Sequence, residues 1–230
     1  MPKKFNLFLV CVIFLIIPTG CGMFFENDTI RGVLTRTDVY IIEHHIERYM
    51  ADMEEFTRRL YLRNPKYEID LAAREIKIDR IFHRIRGIRR GGDIYSKMSS
   101  NDVLTAAFAP ETEGDRVYLL GLGLVRSIEE AYGFRDRKFL LWGLQIPLKF
   151  LERLHFNISQ VNWRLKTYKD EKGDFIFLTF GIAPNGYVNM GYEVIMTRIL
   201  TRIEDDIYMH GGLPKKYVFD VATFFLSIVI

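Results

Sequence analysis

Five arginines, Arg80, Arg84, Arg86, Arg89 and Arg90, fall within eleven residues that contain no acid. A guanidinium fork matches the oxygens of a phosphate or carboxylate bidentately, so such a cluster predicts an anion-binding surface. The same residues also fit a solvated helix end, where basic side chains complement the negative C-terminal pole of the helix dipole. Which anion such a surface would meet depends on the compartment, which the N-terminus addresses.

Other chemistry-bearing groups are sparse. Glu43, His44 and Glu47 lie at spacings that put side chains on one side of a helix, where they could share a metal ion. Carboxylate-bridged di-metal bundles use Glu-x-x-His twice, with two further glutamates. Here the order is His44-x-x-Glu47 and it occurs once, which predicts a polar outer helix face and neither metal nor cofactor. His83, His155 and His210 stand singly. The run Leu120-Gly-Leu-Gly-Leu124 lacks the third glycine and the preceding strand of a dinucleotide fingerprint, so Gly121 and Gly123 predict close helix packing instead. There is no Gly-x-Ser-x-Gly elbow, no His-Glu-x-x-His and no partnered cysteine nucleophile. No catalytic residue is assigned, and a non-enzymatic role is favoured.

The remaining reactive group is Cys21. Lys3 and Lys4 precede an apolar run from Phe5 to Ile17, followed by Pro18, Thr19 and Gly20. A charged start, a short apolar middle and small residues at the exit make a signal peptide over residues 1–20. As a helix that run rises only about 20 Å, too little for a hydrocarbon core about 30 Å thick. Thr19-Gly20-Cys21 resembles a bacterial lipobox, in which the cysteine after the cleavage point carries diacylglycerol; Pro18 stands where leucine is usual, and ordinary secretory cleavage after Gly20 is the alternative. Cys11 leaves with the signal, so Cys21 becomes the single mature thiol and no internal disulfide forms. The resemblance implies an envelope protein attached through an N-terminal lipid, and Gly22 in place of aspartate implies the outer membrane, facing the periplasm. An exported protein seldom meets nucleic acid, so lipid headgroups are the better anion for the arginine cluster.

These residues need elements to position them. The chain of 230 residues, 49% hydrophobic and 27% charged, can build one globular core and is not a disordered sequence. Removing Lys3 and Lys4 lowers the formal charge from +3 to +1, so bulk electrostatics carry no message about partners. After a tether over 21–33, Val39, Ile42, Ile46, Tyr49, Met53, Phe56 and Leu60 recur at alternating steps of three and four. That predicts a helix capped by Thr37 or Asp38 and ended by Asn64-Pro65. Further helices are predicted over 68–86, ending near Gly87; from a Ser100 or Asn101 cap through Ala109; from Asp115 to Gly133; from Pro147 to Tyr168; and from Met190 to Tyr208. Phe175 to Phe180 is the best strand candidate, with Phe139 to Trp142 as its possible hairpin partner. The apolar tail Val218 to Ile230 reads either as a C-terminal helix docked on the core or as an interfacial helix with Lys215 and Lys216 at the headgroups. The fold expected over 34–230 is mainly α, a single-domain bundle of five to seven helices with room for one short β-hairpin.

Three stretches carry a wider likeness: Arg59-Leu-Tyr-Leu-Arg-Asn-Pro65; Phe108 to Gly133, with Gly-Asp-Arg-Val at 114–117 and Ala-Tyr-Gly at 131–133; and Asn162-Trp-Arg-Leu165. Together they resemble a group of uncharacterised proteobacterial lipoproteins that also end in a short apolar segment. The resemblance implies an envelope lipoprotein and assigns no activity, ligand or site residue. The function expected is a lipid-anchored periplasmic binding or assembly factor with an envelope protein as partner, or alternatively an anionic lipid or glycolipid binder.

Overall fold

The alternating steps of three and four close into a single apolar stripe: Ile42, Ile46, Tyr49, Met53, Phe56 and Leu60 are all buried along α1, Arg36–Arg63. The structure, a computed structural model, describes residues 36–83, 95, 97–133, 146–181, 184–186 and 189–226; the side chains of 36, 37 and 39 are outside that description. The chain separates into units 1–33 and 34–230, and all described residues belong to the second. Thr37 and Asp38 fall within the first turn of the described helix and not ahead of it as caps. Asn64 and Pro65 end it as expected and lead into one 3₁₀ turn, Pro65–Tyr67.

Five more helices follow: α2, Leu71–Phe82; α3, Ser100–Phe108; α4, Arg116–Tyr132; α5, Leu148–Thr167; and α6, Gly191–Met209. The protein is therefore a mainly α, single-domain bundle, with no strand among the described residues. α2 is shorter than the sequence suggests because Asp70 caps it by accepting the Ala72 N–H, and His83 turns to extended backbone. The cap of α3 is Ser99, not Ser100 or Asn101, in a reciprocal box with Asp102. Asp115 caps α4 through the Tyr118 N–H, and Gly133 ends it in the left-handed region at φ 68°, where a side chain would be strained.

α4 is the hub, buried at nearly every position and packed against α1, α2, α3 and α5. Glycines permit this. A Cβ on Gly121 would sit 2.9 Å from Thr57 Oγ1, and one on Gly123 would sit 2.7 Å from Leu104 Cδ2. Two buried charges of α4 hold opposite ends of α3 in the sense its dipole favours. Glu130 accepts the Ser100 N–H at the N-terminus, and Arg116 donates to the carbonyls of Ala107 and Pro110 at the C-terminus.

The expected strand does not form. Residues 175–180 make one isolated antiparallel bridge, Lys169 with Phe175, closing the Asp170–Asp174 turn. The proposed partner, 139–142, lies outside the described residues. In place of a neighbouring strand, the buried Asn64 amide donates to the Leu178 carbonyl (3.1 Å) and accepts the Leu178 N–H (2.7 Å), satisfying extended backbone from a side chain.

The tail is not a helix. Residues 213–226 run extended up α5 and back. Lys215 pairs with Glu152, Tyr217 and Phe219 stack on Phe156, and the Tyr168 hydroxyl donates to the Val221 carbonyl. A turn at Asp220–Thr223 then reverses the chain. On the return, Arg164 and Gln160 both donate to the Thr223 carbonyl, and Asn157 exchanges two hydrogen bonds with Leu226, each 2.8 Å. Phe225 is buried against Phe108, with the Arg164 guanidinium 4.4 Å from its ring centre. The strap thus docks on the core, as one reading required, without the helical form either reading assumed. Residues 227–230 lie outside the description.

Candidate functional site

The register of α1 on α6 brings together groups that are far apart in sequence. Tyr192 on α6 donates its hydroxyl to the Arg59 carbonyl, Arg202 meets Asp52 at 2.5 Å, and Asp206 meets Tyr49 and His45. As α6 numbering rises, α1 numbering falls, so the helices are antiparallel. Asp206, in the last turn of α6, lies at one end of the seam and is wholly buried. Its Oδ2 accepts from the hydroxyls of Tyr132 and Tyr49, the latter at 2.9 Å, and its Oδ1 lies 2.7 Å from His45 Nδ1. Its backbone carbonyl takes His210 Nδ1 at 2.7 Å.

Two tyrosines, a histidine and a carboxylate are residue types that could carry acid–base chemistry. Here they hydrogen-bond to one another. Burial first, then the Asp206 charge, pushes Tyr49 well above the ordinary tyrosine range against an opposing hydrogen bond from Tyr132; burial, then Tyr49 and Asp206, push Tyr132 the same way, so both stay protonated and donate. Burial also pushes Tyr67 and Tyr192 up to about 12. Raised folded-state values near a common reference of about 10 mean that these tyrosines contribute stability fully below pH 10 and lose it as pH climbs from there, each by at most about 1.4 kcal/mol per pH unit. Thermal melts between pH 8 and 11 should therefore fall steeply above pH 10, and Tyr132→Phe should flatten that fall. An identical slope in Tyr132→Phe would remove Tyr132 from the account.

A second polar junction forms where α1, α2 and α4 meet. Asp115 accepts from the Tyr61 hydroxyl at 2.8 Å and from Lys77 Nζ at 2.7 Å, while Lys77 also reaches Glu68 at 2.7 Å. Asp115 is thus a helix-start anchor, as its position suggested, with an ion pair to Lys77.

Of the predicted anion site, Arg80 alone lies among the described residues. It borders a shallow recess shared with Arg58, Glu75, Ile76, Asp79 and His83, so it sits among charges of both signs. Arg84, Arg86, Arg89 and Arg90 lie outside the described residues, as does Cys21. Glu43, His44 and Glu47 fall on the outer side of α1, with His44 and Glu47 exposed. The neighbouring His45, which sequence reading passed over, is the histidine that faces the interior seam. The histidines that looked solitary have partners: His83 is 3.2 Å from Asp79, His155 is 3.1 Å from Glu204, and His210 bonds the Asp206 carbonyl. No group of three or more His, Cys, Asp or Glu among the described residues is placed to hold a metal ion, and no described helix is long and apolar enough to cross a membrane.

An accessible concavity lies at the other end of the α1–α6 seam. Asn162, Leu165 and Lys166 of α5, Thr179 and Phe180, and Met190, Tyr192, Glu193 and Met196 around the start of α6 line a groove of about 410 Å³. Its walls are mostly apolar. Asn189 and Tyr192 are shared with an adjoining recess of about 370 Å³ lined by Arg59, Leu62 and Arg63. Arg59, Leu62, Arg63, Asn162 and Leu165 lie in stretches that carried the family likeness, but nothing in the sequence marked the set as one site, because it comes from three helices and a connecting segment.

Compared with protein-family models, curated proteins and solved structures, the chain matches none.

Proposed function

We propose that this protein is a lipid-anchored periplasmic envelope protein, held to the membrane through Cys21, whose helical body acts as a non-catalytic binding or assembly factor. The observation that carries the non-catalytic part is the closure of the Asp206 cluster. Its carboxylate is wholly buried and engaged by Tyr49, Tyr132 and His45, so the residues best suited to acid–base work among the described ones hold three helices together. The address is supported by the signal-like start, the lipobox-like Thr19-Gly20-Cys21 and the likeness to proteobacterial lipoproteins.

Metabolic labelling with an alkyne palmitate analogue tests the anchor. Wild-type protein should take up the label and fractionate with the envelope, and Cys21→Ala should lose the label entirely. Wild-type protein that stays unlabelled, or intact precursor found in the cytosol, would overturn the proposed attachment. Co-purification from solubilised envelopes tests the assembly role: a stoichiometric protein partner is the expected result.

A further inference from the structure

We infer that the apolar groove and the adjoining arginine recess form one binding site for a single-chain anionic amphiphile, with its acyl chain along Leu165, Phe180 and Met196 and its carboxylate or phosphate head at Arg59 and Arg63. This deepens the binding-factor reading and rests on it, but it does not depend on Cys21.

The first ground is volume and lining. A groove of about 410 Å³ lies within the roughly 300–1,000 Å³ range of small-molecule sites, and its walls are largely carbon. Phe180 and Met190, 46% and 59% exposed, leave apolar surface at its mouth that water solvates poorly.

The second ground is uncompensated positive charge at one end. Arg59 gives its Nε to Glu55, and Arg63 gives one Nη2 hydrogen to the Phe180 carbonyl at 2.9 Å. Each guanidinium has five N–H donors, so both keep capacity for an anion. In the groove wall, Lys166 is paired with Glu193 at 2.6 Å, so that wall carries no net charge from them. Two carboxylates therefore answer three cations, and the site keeps a net positive charge.

The third ground is how the heads are placed. A Cβ on Gly181 would fall 1.9 Å from Arg63 Nη2, and one on Gly191 would fall 2.7 Å from Arg59 Nη1. The two guanidiniums thus lie against bare backbone at the two ends of the connection from 181 to 191, whose ends are tied by the Asn189 N–H to the Gly181 carbonyl (2.9 Å). The buried ring of Tyr192 borders both compartments and is fixed by its hydroxyl bond to Arg59. An apolar slot ending in two pre-positioned guanidiniums matches a fatty acid or a lysophospholipid of phosphatidic type, which share one chain and an anionic head.

The test uses the full chain in phosphatidylcholine nanodiscs and diazirine photoprobes of one chain length: a fatty acid, a lysophosphatidic acid and the neutral fatty alcohol. Peptides carrying residues 162–166 and 179–196 should take most of the label from an anionic probe, at about tenfold over the alcohol, the discrimination expected of a charge-assisted hydrogen bond. Labelling that the fatty acid alone achieves identifies a carboxylate ligand, and labelling that the lysophosphatidic acid alone achieves identifies a phosphate ligand. Arg59→Gln and Arg63→Gln, each checked for native helicity, should bring the anionic-to-neutral ratio towards one while the labelled peptides stay the same. Asn162→Trp should reduce labelling by all probes by filling the slot. Label spread over other exposed apolar residues such as Leu213, Val218 and Phe224, or a ratio near one in wild type, would overturn the site. Wild-type labelling at the groove with loss of Cys21 acylation would leave this site standing while the envelope address fails.

Discussion

Asp206→Ala is expected to destabilise the protein by about 3–5 kcal/mol, a large part of the roughly 5–15 kcal/mol that holds a domain of this kind together. The change leaves the Tyr49 and Tyr132 hydroxyls and His45 Nδ1 without their common acceptor inside the bundle. The two phenols lie 3.3 Å apart and can bond one another, which sets the loss below three full desolvation penalties. Asp206→Asn keeps one acceptor oxygen and should fall between wild type and alanine. Urea unfolding followed by circular dichroism measures the order. At about 2–4 °C per kcal/mol for a chain of this size, the alanine variant should melt about 6–20 °C lower. A shift within 0.5 kcal/mol of wild type would mean that water replaces the carboxylate and that the cluster is not sealed.

Phe225→Ala is expected to release the C-terminal strap without melting the bundle. Phe225 buries its ring against Phe108 and beneath the Arg164 guanidinium, whereas Val218, Val221 and Phe224 on the same segment face outward. Truncating a buried phenylalanine costs about 3 kcal/mol or more, and the remaining ties of the strap are hydrogen bonds worth about 1 kcal/mol each. Opening of the strap should therefore become about a hundredfold more frequent. Hydrogen exchange reads this directly, since the Leu226 amide is protected by Asn157 and the Thr223 amide by Asp220. Both should exchange about a hundredfold faster while amides in the middle of α4 change far less. Equal acceleration in the strap and in α4 would show that the strap is part of the cooperative core.

The sequence was most legible where one local rule acted alone. Alternating steps of three and four from Ile42 to Leu60 specify a buried stripe because 3.6 residues per turn lets no other face collect them. Asp115 and Gly133 mark the ends of α4 because a carboxylate satisfies a free helix N–H and glycine alone takes φ 68° without strain. Gly121 and Gly123 announced close packing because an apolar helix gains nothing from a missing side chain unless a neighbour fills the space. Errors arose where several partners competed. Phe175 to Phe180 has strand composition, yet its backbone is satisfied by the Asn64 side chain, a solution that no pattern within the segment reveals. The tail failed similarly: its apolar content suggested a helix, but Asn157, Gln160, Arg164 and Tyr168 of α5 satisfy its extended backbone.

By itself, then, the sequence determined the helical class, most helix positions and the expectation of an envelope address centred on Cys21. Only the tertiary structure decided which polar residues meet. Asp206 stands 157 residues from Tyr49 and 74 from Tyr132, and Arg59 stands 133 from Tyr192. Periodicity fixes which way a side chain points from its own helix, but not which helix it will face. That choice is made by how the whole set of apolar stripes packs around α4, where burying one more polar group without a partner costs more than any local preference supplies.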